Sequence, residues 1–218
     1  MTDNNSKLPL PLEGVRVLDA THIVAGPFCS LILADMGAEV IKIERPRTGD
    51  QARARGPFVQ GPNNEQVSSR YLGINRNKKS VTLDLRHSSC KRAFENLVRA
   101  SDVLLDNWGP GAFRRLGLGY DHLSEMNPGL IYASITGYGD SEGLRGPYSN
   151  WPANNLSIQG MSGWMSLPAT RTVPLRVWGI TSATRYPASG RPWASSWPWK
   201  LAARPGRAST WTWPCTSA

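Results

Sequence analysis

Apolar residues in the first 140 positions follow two alternating periods, the two-residue period of a strand and the 3.6-residue period of a helix. Residues 15–19 and 39–44 alternate as strands do, and residues 28–36 between them place apolar side chains at helical spacing. Pro27 suits the first turn of this helix, and Gly37 suits its C-terminal end. The βαβ order predicts parallel strands joined by a right-handed crossover.

The alternation continues along the chain. Further strands are predicted at residues 80–85, 102–106 and 130–136, and helices at residues 91–100, 120–126 and from the 107–111 turn through residue 116. Residues 45–79, rich in Arg, Gly, Pro and Asn, are predicted to form one long functional loop. The order of elements predicts an α/β fold with a doubly wound sheet. Beyond about residue 167 the periodicity disappears.

The formal net charge of +9 is unevenly distributed. Residues 1–142 contain all 16 acidic residues and balance to +1, whereas residues 143–218 contain eight basic residues, no carboxylate and eight of the nine tryptophans. Because the excess charge is confined to this C-terminal tail, we predict no nucleic-acid partner for the domain before it. A tail that binds membrane surfaces or nucleic acid through Arg and Trp is kept as an alternative function.

Other sequence features limit the cellular compartment and the class of protein that we expect. No apolar run reaches eighteen residues and the N-terminus lacks a signal-peptide pattern, so we predict no membrane span and no secretion. The three cysteines are far apart and fit neither a zinc spacing nor a disulfide framework. We therefore expect a cytoplasmic protein without a metal site.

The loop at residues 21–27, which follows the first strand, bears on ligand binding. It lacks the G-x-G-x-x-G pattern, so we predict no dinucleotide cofactor, yet it still presents backbone N–H groups at a helix N-terminus. Arg45, Arg47, Arg53 and Arg55 follow the second strand. Their guanidinium groups suit a phosphate-bearing ligand, and a solvated basic loop fits the spacing equally well.

A set of short segments carries a resemblance to a known family. They include Ala-Gly-Pro at 25–27, Val-Ile-Lys-Ile-Glu at 40–44 and Asn-Trp-Gly-Pro-Gly at 107–111, and further segments lie at residues 10–19, 33–39, 75–80, 83–85, 102–103, 116–118, 127–128, 131–139, 146–148 and 159–163. In this order they resemble the class III CoA-transferases, the CaiB/BaiF family, over residues 8–167.

The resemblance implies a Rossmann-like large domain, an intertwined homodimer in the full-length protein and coenzyme A or acyl-CoA as a substrate, with no tightly bound cofactor. By position, His22, Val24 and Ala25 would line the CoA, and Arg45 would contact its phosphates. Leu83 would lie near the adenine, with Asn107 and Arg115 nearby. The acyl-CoA would donate its CoA to a carboxylic acid through an aspartyl-CoA intermediate.

The catalytic residue that the resemblance implies is missing. An aspartate nucleophile is expected near Thr184, where residues 182–186 read Ser-Ala-Thr-Arg-Tyr, and no carboxylate follows downstream. Racemases of the family use an earlier carboxylate, at the position of Asn155, and it is absent too. We therefore predict a protein that is inactive as written, with a non-enzymatic CoA-binding fragment or a family racemase as alternatives.

The tail suggests why the aspartate is missing. With G+C-rich codons assumed, residues 183–215 translated one register away give an apolar helix, a Lys-Thr-Gly-x-Gly turn and a strand, which resembles the next part of the family sequence. The displaced reading places an aspartate across the codons of Ala183 and Thr184. We predict a CoA-binding domain at residues 8–167 and a frameshifted, poorly ordered tail at residues 168–218; a natural basic, disordered tail is the alternative.

Overall fold

The computed structural model describes residues 9–140, 145–166 and 209–214, the last segment as backbone only. Its strands are β1 (Arg16–Asp19), β2 (Glu39–Glu44), β3 (Phe58–Gln60), β4 (Gln66–Ser68), β5 (Lys78–Thr82), β6 (Val103–Asp106), β7 (Ile131–Thr136) and β8 (Ser209–Pro214). Its helices are α1 (Ala25–Asp35), α2 (Ser69–Asn75), α3 (Ser88–Arg99), α4 (Ala112–Arg115), α5 (Tyr120–Met126) and α6 (Asn155–Met161).

Six strands form one parallel sheet in the order β5-β2-β1-β6-β7-β8. The chain moves outward from β1 through β2 to β5 and then returns to place β6 on the other side of β1. The connections that leave β1 and β6 therefore lead toward opposite edges of the sheet. The topological switch point of this doubly wound α/β fold thus lies between β1 and β6. The predicted fold class is confirmed.

The sheet separates two apolar cores. On one face Val17, Val40 and Val103 pack with α1, through residues such as Cys29 and Leu33. On the other face, Leu18 and Leu104 pack with residues from α3, α4 and α5, among them Phe94, Phe113 and Leu123. Alternate residues of β1 and β6 thus face opposite cores, and this is why these strands are almost continuously apolar.

The predicted long loop at residues 45–79 is only partly a loop. It contains a 3-10 turn at Gln51–Ala54, the antiparallel hairpin β3–β4, helix α2 and the first residues of β5. Helix α2 begins with a side-chain cap, since Ser68 Oγ accepts the backbone N–H of Tyr71. The prediction was wrong here because strands of three residues and a helix of seven are too short to show a period.

Most of the predicted tail lies outside the described residues. The described part, β8, runs parallel to β7, with Ile131 opposite Ser209 and Thr136 opposite Pro214. The place where the nucleophile is expected, residues 182–186, is not described. The frameshifted and poorly ordered tail, and its boundary with the CoA-binding domain, stay predictions.

Candidate functional site: a basic cavity at the carboxyl edge of the sheet

A cavity of about 1040 Å3 opens where the strands end. Residues at the ends of four parallel strands line it: Ala20, Arg45 and Leu83 directly follow β1, β2 and β5, and Trp108 is the second residue after β6. Arg115, the last residue of α4, lines the cavity as well. Ligands of open parallel sheets bind in this crevice outside the carboxyl ends, so the position of the cavity makes it the candidate binding site.

The cavity has a surplus of positive charge. In the part of the chain that the structure describes, Arg45, Arg47 and Arg115 form no salt bridge with a carboxylate. The guanidinium of Arg45 lies 5.5 Å from the ring centre of Trp108, and Arg115 Nη1 donates to the Pro110 carbonyl oxygen at 3.0 Å. The cavity residue Asp84 accepts two hydrogen bonds from the Arg86 guanidinium, and this pairing holds the pKa of Asp84 well below its usual range. Three cations thus remain for an anionic ligand.

The loop between β1 and α1 forms the neighbouring wall. Asn107 holds it in both directions, because Asn107 Oδ1 accepts the His22 N–H at 2.9 Å and Nδ2 donates to the His22 carbonyl oxygen at 2.8 Å. The imidazole of His22 packs edge-on to Trp108, with ring centres 6.2 Å apart. Burial lowers the pKa of His22, so its imidazole is neutral near pH 7. Asn107 therefore fixes the position of a neutral histidine.

The conformation of this loop is constrained at two further residues. Ile23 has φ +70°, a left-handed conformation that is rare for a β-branched residue. Gly26, in the first turn of α1, lies so close to Thr21 that a Cβ atom at this position would be 2.1 Å from the Thr21 Cβ. The glycine of the Ala25-Gly26-Pro27 segment thus permits the loop to fold back onto its own helix.

A cluster of four charged side chains, which we call the buried ion cluster, lies beneath the loop. It consists of Asp19, Lys42, Asp50 and Lys78, whose side chains are at most 2% exposed. Lys42 Nζ lies 3.0 Å from Asp50 Oδ2 and 3.9 Å from Asp19 Oδ2, and Lys78 Nζ lies 3.2 Å from Asp19 Oδ2. Although burial alone would raise it, the pKa of Asp19 is lowered to about 2 by Lys42, Lys78 and hydrogen bonds from Ser30 and Thr21.

Glu44, the acidic residue that ends β2, belongs to a structural network. Its carboxylate accepts two hydrogen bonds from Arg53, both 2.7 Å long, and further bonds from Tyr71, Ser80 and the Asp50 N–H. These bonds lower the pKa of Glu44 despite its burial. Arg53 is therefore committed to Glu44, and among the four arginines of this segment Arg45 and Arg47 are the two that line the cavity.

The structure brings together part of the predicted CoA-binding set. Arg45, Leu83 and Arg115 line the large cavity, and His22 lies with Arg45 in a small adjoining pocket. Val24 and Ala25 stand at the start of α1 and line neither of these pockets. Asn107 acts on the site through the His22 backbone.

Two groups of residues at the site were not predicted from the sequence. Trp108 joins the large cavity, the His22 pocket and a third cavity of about 290 Å3, and its Nε1 donates to the Ala20 carbonyl oxygen at 2.7 Å. Asp106 lies in this third cavity, where burial raises its pKa. The buried ion cluster was missed as well, although a lysine in the middle of the strand sequence Glu-Val-Ile-Lys-Ile-Glu was a visible signal.

Neither a metal centre nor a membrane span is found within the described ranges. There, no three metal-binding side chains meet, and no helix has the length and apolarity needed to cross a bilayer. Asn155, at the racemase position, is the first residue of α6, and its Oδ1 accepts a hydrogen bond from Gln159 at 3.1 Å.

Comparison with known proteins identifies the family. The family model described as CoA-transferase family III matches residues 12–181, and the chain belongs to this family. It is 41% identical over 169 residues to succinate–glutarate CoA-transferase of Agrobacterium fabrum, covering 77% of this chain and 41% of that protein. It is also 41% identical over 166 residues to acetyl-CoA:oxalate CoA-transferase of Acetobacter aceti, covering 76% of this chain and 40% of that protein.

Solved structures agree with this assignment. A CaiB/BaiF family protein from Brucella suis has a TM-score of 0.83 at 32% identity, covering 95% of this chain and 54% of that one. A hypothetical protein from Mycobacterium tuberculosis has a TM-score of 0.81 at 33% identity, covering 94% of this chain and 55% of that one. The chain thus spans about two fifths of the length of the curated relatives above and just over half of each of these solved structures.

Proposed function

We propose that this chain is the CoA-binding part of an enzyme that transfers CoA from an acyl-CoA to a carboxylic acid. The observation that carries the proposal is the cavity at the carboxyl edge of the sheet, where Arg45, Arg47 and Arg115 have no carboxylate partner among the described residues. Coenzyme A has an adenine ring and several phosphates, and these groups match an apolar wall with Leu83 and a surplus of guanidinium groups.

We assign the site residues on this basis. Arg45 and Arg115 bind phosphate groups, Leu83 packs on the adenine, and His22 faces the rest of the ligand from the small adjoining pocket. Val24 and Ala25 line neither pocket, and their assignment to the ligand rests on the family resemblance alone. Asn107 holds His22 in place through its backbone. The family relatives named above support an acyl-CoA donor and a small carboxylic acid acceptor, and a homodimer is expected for the full-length protein.

The transfer chemistry requires a nucleophile that this chain lacks. In the proposed reaction an aspartate attacks the acyl-CoA thioester to form a mixed anhydride and release CoA, whose thiolate then attacks the aspartyl carbonyl and releases the acyl group as a carboxylate. The acceptor carboxylate finally attacks the aspartyl thioester and displaces the CoA thiolate, which gives a second mixed anhydride. The CoA thiolate then attacks the acceptor acyl carbon of this anhydride and releases the aspartate as a free carboxylate. Because no carboxylate follows Glu142, we propose that the 218-residue chain binds CoA without turning it over.

Binding and turnover are tested separately with the purified chain. Isothermal titration calorimetry with CoA and with its 3′-dephospho analogue is expected to give saturable binding that weakens when the phosphate is removed. Exchange between succinyl-CoA and glutarate, followed by liquid chromatography, is expected to remain at the uncatalysed rate. Absence of CoA binding would contradict the proposed site, and measurable exchange would contradict the proposed inactivity.

The origin of the tail is tested at the level of the gene. Resequencing from the codon of Gly163 past the stop codon is expected to show a one-base displacement that restores an aspartate near Thr184 and a longer product. The restored full-length protein is then expected to catalyse the exchange. An unchanged reading frame would instead establish a natural truncated relative, for which CoA binding is the activity that remains.

A further inference from the structure

The buried ion cluster contacts the β1–α1 loop at several points. Lys42 Nζ donates to the Thr21 carbonyl oxygen at 2.9 Å, and Asp50 Oδ1 accepts the Ile23 N–H at 3.0 Å. Lys78 Nζ donates to the Pro27 carbonyl oxygen at 2.7 Å. The cluster therefore contacts the loop at Thr21 and Ile23 and the first turn of α1 at Pro27.

The members of the cluster come from separate parts of the chain. Asp19 ends β1, Lys42 lies in β2, and Lys78 begins β5. Asp50 precedes the 3-10 turn Gln51–Ala54, where its Oδ1 also accepts the Ala52 N–H at 2.8 Å. The cluster thus joins the loop to the sheet and to the segment that follows Arg45, and Asp50 itself lines the small pocket that contains His22.

Stability alone does not explain such a cluster. Two lysines and two aspartates removed from water lose their hydration, and buried ion pairs are often no more stabilising than apolar residues of similar volume. The distinctive result of these contacts is a defined loop conformation, in which Ile23 keeps φ +70° and its N–H points at Asp50. Without the contacts, Ile23 would favour an extended or right-handed conformation.

We propose that Lys42 and Asp50 are positioning residues for ligand binding, which hold the β1–α1 loop in its ligand-binding conformation before CoA arrives. The inference rests on the proposed function, because it assumes that this loop faces CoA. Lys42 and Asp50 line no wall of the large cavity and act through the backbone of residues 21–23. A loop that is already in place does not have to be ordered at the moment of binding, and affinity increases accordingly.

The test uses the full 218-residue chain and removes opposite charges together. The Lys42→Met/Asp50→Leu double variant leaves Asp19 paired with Lys78, so no unbalanced charge remains buried. In the Lys42→Met/Asp50→Asn variant a side-chain oxygen is still present to accept the Ile23 N–H. The matched control is Lys79→Met, since Lys79 lies next to Lys78 in β5 but is exposed and pairs with Glu39 at the surface.

Two quantities are measured: the Kd for CoA by calorimetry, and amide hydrogen exchange of residues 21–25 with and without CoA. For the Lys42→Met/Asp50→Leu variant we expect about a tenfold weaker Kd and faster exchange of the Ile23 amide that saturating CoA slows again. The Lys42→Met/Asp50→Asn variant should fall between this variant and the unsubstituted chain, and Lys79→Met should match the unsubstituted chain in both measurements.

A purely structural role gives a different pattern. Faster exchange throughout β1 and β2 with an unchanged Kd would overturn the proposal, and so would unchanged exchange at residues 21–25. If the unsubstituted chain does not bind CoA, the proposed function fails, while the ligand-free exchange rates still decide whether Lys42 and Asp50 fix the loop.

Discussion

Two sets of charged residues lie near the carboxyl edge of the sheet and differ in their surroundings. Asp19, Lys42, Asp50 and Lys78 are buried and paired with one another, whereas Arg45, Arg47 and Arg115 are exposed and have no carboxylate partner in the described ranges. Charges that satisfy each other inside a protein fix local geometry, and charges left unpaired at a cavity remain free for a ligand. We call the first set the buried layer, which has a positioning role, and the second set the exposed layer, which has a binding role.

The largest effect is expected from breaking the pairing in the buried layer. Lys42→Met leaves Asp50 without its cation, and the free energy of unfolding is expected to fall by about 3–5 kcal/mol because a buried carboxylate is left uncompensated. Urea denaturation followed by circular dichroism measures this change. The Lys42→Met/Asp50→Leu variant should lose much less, and equal losses for the single and double variants would show that pairing is not the cause.

Low pH is expected to lower the free energy of unfolding through the same buried layer. The folded-state pKa of Asp19 is about 2, below its ordinary value of 3.8, so the carboxylate contributes stability that is present above about pH 4 and is lost as the pH falls toward 2. The lowered pKa of Asp19 corresponds to about 2 kcal/mol. Urea midpoints measured between pH 5 and pH 2 should fall more steeply for the unsubstituted chain than for Asp19→Asn. Equal slopes would contradict the assigned pairing.

The exposed layer should respond in ligand binding instead of stability. Arg45→Gln and Arg115→Gln are each expected to weaken CoA binding about tenfold, because a hydrogen bond between charged groups is lost. The free energy of unfolding should change by no more than about 0.5 kcal/mol in each variant. Calorimetry and urea denaturation measure the two quantities. Arg16→Gln, at the opposite end of β1, is the control and should leave the affinity for CoA unchanged.

The smallest effect is expected at a paired but exposed lysine. Lys79→Met breaks the surface pair with Glu39, and the free energy of unfolding should change by less than about 1 kcal/mol because solvent screens such pairs. Lys79→Met and Lys42→Met each break an ion pair, so the difference between their losses in the free energy of unfolding measures the effect of burial. A loss as large as that of Lys42→Met would mean that any lysine in the sheet is equally important.

The sequence by itself determined the fold class and the larger elements. Strands β1, β2, β6 and β7 were predicted to within one residue at each end, and helix α5 was predicted with its bounds, because each carries a clear apolar period between Gly, Pro or Asn stops. The specific segments at residues 25–27 and 40–44 also led to the family, which the matched family model confirms.

Tertiary structure alone decided how the charged residues divide their tasks. Arg45 and Arg53 stand eight positions apart in the same basic segment, yet Arg45 faces the cavity and Arg53 is bound to Glu44. Likewise, Lys42 and Lys79 are both strand lysines, and only Lys42 lies beneath the β1–α1 loop. Local patterns record which residues alternate along a strand. The Asp19–Lys78 and Lys42–Asp50 pairs form only when the folded chain brings β1, β2, β5 and the segment after β2 together, so only the folded structure reveals them.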